Sequence, residues 1–310
     1  MKNNNFLIIT YFAGWKEDGL KKLRYEYLDH INYAFAIPTE EGKLRPLDKP
    51  ELARHLIGEA HAHDTKVLIS VGGWSYQDVP LEKTFEKATE TPEKIKRLAK
   101  SIVDMVDEYD FDGADIDWEY PRVHTAAANE ALYEILAEEL HKRGKLLTTA
   151  VYAGVSVADN GNDGLGNSVK DIVYGLTDRA LVLLDLVHIM AYDGGQGPLH
   201  SSYHFAVNSS RMWRDTRGIP AEKLILGVPF YGRPGGSYEN ILKEHADADQ
   251  YDVKMMGEIE AHYNGIPTIQ KKTRFALEEL GGIMSWEISE DTADTEKSLL
   301  VAIAKEAGRA

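Results

Sequence analysis

Eight short strand-like runs recur along the chain, and helical spacing fills the segments between them. Seven of the runs are apolar: Phe6–Phe12, His30–Ala36, Lys66–Val71, Leu146–Tyr152, Leu186–Asp193, Leu224–Phe230 and Gly282–Trp286. Near-continuous apolar runs suit strands buried on both faces, as in a parallel sheet covered by helices. The clearest helix starts where Thr91 can cap and Pro92 can take the first helical position. Ile95, Leu98, Ala99, Ile102, Val103 and Val106 then form its apolar stripe. Further helices are expected over 50–63, 126–143 with Gly144 as C-cap, 168–174, 177–184, 205–217, 268–280 and 295–307. Strands alternating with helices predict an α/β fold with a closed parallel barrel. A barrel of this kind takes about 250 residues, so residues 1–310 are expected to form one domain.

The eighth run is acidic: Phe111-Asp112-Gly113-Ala114-Asp115-Ile116-Asp117-Trp118-Glu119-Tyr120-Pro121. In an extended strand Asp115, Asp117 and Glu119 share one face, while Ile116 and Trp118 take the other. Asp112 is off that parity and belongs at the strand entrance. Three neighbouring carboxylates cannot all ionise, so their pKa values must split. A structural strand has no use for that arrangement, whereas acid–base catalysis has. A calcium site is the other chemical reading, since alternating carboxylates suit a hard cation. The loop glycine and terminal Glu spacing of an EF-hand are missing, however, and Trp118 and Pro121 fit a metal loop poorly.

The run Asp112–Pro121 resembles the D-G-x-D-x-D-W-E-x-P signature of the family 18 glycoside hydrolases, the chitinase-like enzymes. Three more motifs fall in the matching strand order. Ser70-Val71-Gly72-Gly73 resembles S-x-G-G on strand three, and Met190-Ala191-Tyr192-Asp193 resembles M-x-Y-D on strand six. Trp286 matches the strand-eight tryptophan. The resemblance implies a (β/α)8 TIM barrel with its site at the C-terminal strand ends.

The resemblance also implies roles. Glu119 would protonate the glycosidic oxygen, and Asp117 would orient the acetamido N–H of the sugar. Asp115 would share a proton with Asp117, and Tyr192 would hydrogen-bond the acetamido oxygen. Asp193 would contact the sugar or Glu119, and Trp286 would floor the subsite of the distorted sugar. Tyr11 and Ser70 would hydrogen-bond the buried aspartates, with Asp112 structural; Thr10 stands where the family often has Gly. Gly73, Trp74, Met190, Tyr231 and Trp15 complete the substrate-binding candidates. The implied reaction is hydrolysis of β-1,4-linked N-acetylglucosamine polymers or oligosaccharides by a retaining, substrate-assisted route. The alternatives are an endo-β-N-acetylglucosaminidase acting on N-glycan cores and a non-catalytic chitin-binding lectin. Lectins of this kind lose the acid that Glu119 supplies here.

Composition narrows the partners. The formal charge of −15 argues against nucleic acid or an anionic membrane, and says little about a neutral carbohydrate. No apolar run approaches about 18 residues, so no membrane-spanning helix is expected. With no cysteine there is neither a disulfide framework nor thiolate chemistry. The eleven histidines lack metal spacing, and His61-Ala62-His63 reads as an exposed helix end, so neither metal nor cofactor is expected. The start Met1–Asn5 precedes no signal-peptide h-region, which predicts a cytoplasmic protein or an exported one with its signal removed. A monomer is expected. Many family members carry an α+β insertion between strands seven and eight. Here the interval of about Pro234–Pro267 is too short for a unit with its own core. It is expected to be a loop with one short helix near Asp252–His262, leaving the cleft shallow on that side.

Overall fold

The eight runs form eight parallel strands that close on themselves, the first pairing with the eighth. The structure is a computed structural model and describes residues 6–155, 161 and 166–310. The strands are β1 (Leu7–Ala13), β2 (His30–Ala36), β3 (Lys66–Gly73), β4 (Gly113–Trp118), β5 (Leu146–Tyr152), β6 (Leu186–Met190), β7 (Leu224–Pro229) and β8 (Gly282–Trp286). Each pairs with its sequence neighbours, which makes this a (β/α)8 TIM barrel. The helices are α1 (Pro50–His61), α2 (Leu81–Ala88), α3 (Pro92–Tyr109), α4 (Ala126–His141), α5 (Val169–Val173), α6 (Asp178–Leu183), α7 (Tyr203–Arg211), α8 (Tyr238–Glu244), α9 (Ile266–Glu279) and α10 (Leu299–Glu306). No helix among the described residues is long and apolar enough to cross a membrane.

Local chemistry sets the delivery of β4. The Thr91 side chain accepts from the Lys94 N–H at 3.3 Å and starts α3. Asp110, with φ of 61°, ends the helix and turns the chain into the acidic strand. Gly113 then passes so close to β5 that a Cβ there would sit 2.2 Å from the Leu146 carbonyl oxygen. The two-residue period sorts β4 as its pattern demands. Ala114, Ile116 and Trp118 enter the apolar layer between strands and helices, where Trp118 stacks on Phe85 at 4.9 Å. Inside the barrel a smaller cluster includes Ile9, Tyr11, Ala34, Ala150, Met190, Ile225 and Met284.

Several expectations shift. No helix forms over 252–262; Val253–Met256 and Ile259–His262 make an antiparallel hairpin instead. Gly257, at φ of 63°, supplies the tight turn, and the short helix lies earlier, in α8. The buried residues of this excursion, among them Tyr238, Ile241, Ala261 and Tyr263, join the barrel's outer core and make no core of their own. α10 begins at Leu299, four residues later than expected, because the Asp291 carboxylate accepts the N–H groups of Leu299 and Leu300. α7 begins at Tyr203 and ends in a wider turn over Met212–Thr216. Strand six ends at Met190, so Tyr192 and Asp193 stand on the loop beyond it. His61 is not a free helix end: its Nε2 lies 2.8 Å from Asp112 Oδ2. Residues 154–167, rich in Gly, Asn and Asp and read from the sequence as a loop, lie mostly outside the described residues.

Candidate active site

Asp115 sits at the centre of the barrel, fully buried. Each of its oxygens is met by donors from other strands. Tyr11 Oη and Ser70 Oγ both donate to Oδ2 at 2.8 Å, and Thr148 Oγ1 donates to Oδ1 at 2.7 Å. His188 Nδ1 lies 3.3 Å from Oδ1, 3.1 Å from Tyr11 Oη and 3.2 Å from Asn32 Nδ2. Burial alone would push this carboxyl up, but His188, Thr148 and Tyr11 outweigh it and hold it below the ordinary 3.8. Asp112 works at the other end of β4. Its Oδ2 accepts the Val67 N–H at 2.8 Å beside His61, a structural tie between strands.

Two residues along the same face, Asp117 is also buried, and its Oδ1 has no protein partner among the described residues. No hydrogen bond joins it to Asp115 among the described residues. Burial, then the charges of Glu119 and Asp115, drive its carboxyl well above the usual range. Glu119 follows at the mouth of the barrel. Burial raises it from 4.5 to about 7, with a hydrogen bond from the Tyr120 side chain opposing and the Asp193 charge adding. The three carboxylates thus split: the innermost is held below the ordinary carboxylate range, and the outer two are raised above it.

Above them opens a cleft of about 630 Å³. Its walls include Tyr11, Asp117, Glu119, Met190, Tyr192, Asp193, Tyr231, Trp74, Trp15 and Trp286. Tyr192 stands among Asp117, Glu119 and Asp193, and burial raises its hydroxyl well above 10.0, so it remains a donor. Trp286 packs its edge toward Tyr11 at 5.4 Å and stacks with Phe35 at 5.6 Å. Phe35 stacks in turn with Trp15 at 5.9 Å, so an aromatic row leads from the barrel mouth outward. Trp15 and Trp74 are about half exposed, at 53% and 50%, as open-sided platforms would be. Peptide bonds Ala34–Phe35, Glu119–Tyr120 and Trp286–Glu287 beside this cleft are cis.

Gly73 does not line the cleft. It lies under the Phe35 ring, where a Cβ would approach to 2.6 Å, and its φ of 93° excludes a side chain as well. Asp193 is clamped by Arg233, whose Nε and Nη2 reach its two oxygens at 2.5 and 2.7 Å. Burial would raise its carboxyl, but His200 and Arg233 hold it below 3.8.

The model of glycosyl hydrolases family 18 matches residues 7–291. The chain belongs to that family. Among curated relatives, a chitinase-like effector of Moniliophthora roreri is 31% identical over 72% of this chain and 57% of its own length. Endochitinase 1 of Metarhizium robertsii is 27% identical over 73% of this chain and 62% of its own. Probable chitinase 10 of Drosophila melanogaster is 27% identical over 82% of this chain and 12% of its own. The chain therefore spans less than two thirds of each of these relatives. Among solved structures, the chitinase ChiB of Flavobacterium johnsoniae superposes with a TM-score of 0.80 at 27% identity, covering 98% of this chain and 94% of that one. A chitinase from Bacteroides thetaiotaomicron gives 0.77 at 26% identity, covering 98% and 96%.

Sequence reading of this family 18 chain missed several polar residues of the site, among them His188, Thr148, Asn32, His200 and the Arg233 that holds Asp193. His188 and Thr148 lie inside apolar runs whose alternation places them in the lumen, and that parity was the available signal. Asn32 was hidden in the same way. His200 gave no signal, because only the folded loop brings it to Asp193.

Proposed function

We propose that this protein hydrolyses β-1,4-linked N-acetylglucosamine oligomers or polymers with retention, the acetamido group of the substrate acting as nucleophile. The observation that carries the reading is Asp117 Oδ1, buried without a protein partner beneath a carboxyl that keeps its proton to about pH 7. A substrate N–H aimed at that oxygen would supply the missing partner.

In this reading Glu119 gives its proton to the glycosidic oxygen as the bond to the anomeric carbon breaks. The acetamido oxygen bonds to that carbon and forms an oxazolinium ion. Asp117 accepts the acetamido N–H, and Tyr192 donates to the acetamido oxygen and fixes its line of attack. Leaving-group departure makes room for water. Glu119, now a carboxylate, takes a proton from that water as it attacks, which restores the acid and gives the β-anomer. Trp286 supports the apolar face of the sugar. Retention of Glu119 with all three aspartates speaks against a purely lectin role.

Fast NMR of early product tests the mechanism. Mainly β-anomer is expected, and mainly α-anomer would overturn it. Equal turnover of a substrate whose acetamido groups are hydroxyls would overturn it too. Side-by-side assay of chito-oligosaccharides and a high-mannose glycopeptide separates chitinase from endo-β-N-acetylglucosaminidase action, with chito-oligosaccharides expected to be cleaved faster.

A further inference from the structure

His200 is almost wholly buried, at 1% exposure, on the loop that follows β6. Its two nitrogens have unequal surroundings. Nε2 lies 3.3 Å from the Tyr231 carbonyl oxygen, which can only accept, so Nε2 carries a proton. Nδ1 stands between two groups of the same residue. The Asp193 backbone N–H is 3.3 Å away and Asp193 Oδ1 is 3.1 Å away. One nitrogen cannot serve both at once. Unprotonated, Nδ1 accepts the N–H; protonated, it donates to the carboxylate. The backbone there needs an anchor, because Asp193 is held in the left-handed region at φ of 55°. The neighbouring Gly194 N–H adds a second tie, to the His200 carbonyl oxygen at 3.2 Å.

We propose that His200 is a positioning residue for Asp193, its Nδ1 holding the backbone N–H of that residue while its Nε2 is anchored on the Tyr231 carbonyl oxygen. Its importance to turnover rests on the hydrolase reading above. The charge of Asp193 is one of the groups that raises Glu119. Arg233 holds the same carboxylate, so the placement of Asp193 sets how its charge acts on Glu119. Other groups surround the His200 ring. Tyr231 packs against it at 5.1 Å and stays neutral, its hydroxyl raised well above 10.0 by burial. Lys272 reaches the loop from α9, donating to Ser201 Oγ at 2.7 Å. His262, paired with Glu260, stands on the far side of Gly197.

The test has two arms, both at neutral pH. In the first, nitrogen-15 NMR reads the Asp193 backbone amide. Its shift is expected to stay near the wild-type position in His200→Gln, whose side chain can accept the N–H, and to move in His200→Phe, which keeps only ring volume. In the second, kcat and KM for a fluorogenic chito-oligosaccharide are compared. His200→Phe is expected to lose kcat by roughly tenfold with little change in KM, and His200→Gln is expected to recover most of that loss. An Asp193 amide that is unmoved in His200→Phe overturns the proposal. So do His200→Gln and His200→Phe variants that lose kcat equally. If the amide behaves as expected but wild type cleaves no chito-oligosaccharide, the hydrolase reading fails and the His200–Asp193 tie stands.

Discussion

Asp115 and Asp117 stand two residues apart on one strand face and meet opposite surroundings. Asp115 accepts from Tyr11, Ser70 and Thr148 with His188 alongside, whereas Asp117 Oδ1 accepts from no protein group. Four different strands supply those groups to Asp115, so the barrel's closure is what fixes its charge. Burial, then the charges of Glu119 and Asp115, raises Asp117, while burial and the Asp193 charge raise Glu119.

Replacing Glu119 by Gln should lower turnover of chito-oligosaccharides by at least about 10²-fold while calorimetry still detects sugar binding. A residual rate above about a tenth of wild type would remove Glu119 from the acid's role. The same variant has a pH signature in stability. Unfolded, Glu119 loses its proton near 4.5; folded, it keeps it to about 7. Between those values the unfolded chain binds fewer protons, so this group lowers stability as pH rises through that window. The melting temperature of the variant relative to wild type should therefore increase from pH 4 to pH 8.

Removal of one donor to Asp115 should be costly because the carboxylate is buried. Thr148→Val keeps the shape and deletes the 2.7 Å hydrogen bond to Oδ1. The expected loss is about 1–3 kcal/mol in denaturant unfolding, with a fall in activity as Asp115 takes up protons more readily. An unchanged midpoint would show that the remaining donors suffice.

Lys272 should give the opposite pH slope on the alkaline side. It is fully buried and donates to Ser201 and Asn264, with no carboxylate in contact among the described residues, and burial lowers its amine from 10.5 to about 7. Between those values the unfolded chain holds a proton that the folded one has lost, so this group's contribution to stability rises with pH. Melting temperatures of wild type and Lys272→Met should diverge in favour of wild type from pH 7 to pH 10. Parallel curves would mean that the amine stays charged inside the fold.

The excursion between β7 and β8 packs on the barrel's outer core and builds no separate wall unit. We infer from this a cleft open on that side, which would grip fewer sugars, so soluble oligosaccharides should be cut faster than crystalline chitin, in an endo, non-processive way. Product ratios on crystalline chitin decide this. A dominant disaccharide, formed at rates matching those on soluble substrate, would reveal a deep processive groove.

Period-two alternation and helix caps were legible in the chain because they are local. They located all eight barrel strands, placed Thr91 at the start of α3, and put Asp115, Asp117 and Glu119 on one face. The same locality explains the misses. The 252–262 segment carries no strong helical or strand period, and the turn at Gly257 together with packing on the barrel made it a hairpin.

What the sequence determined by itself was the order of the elements and the residue types at the strand ends, since both follow from spacing along one strand or helix. What only the tertiary structure decided was which carboxylate is ionised and which atoms are left without partners. Those properties depend on Tyr11, Ser70, Thr148 and His188 arriving from strands as much as 104 residues distant from Asp115, and on His200 folding back onto Asp193. Electrostatic energies vary with distance and burial, and neither quantity exists until the barrel has closed.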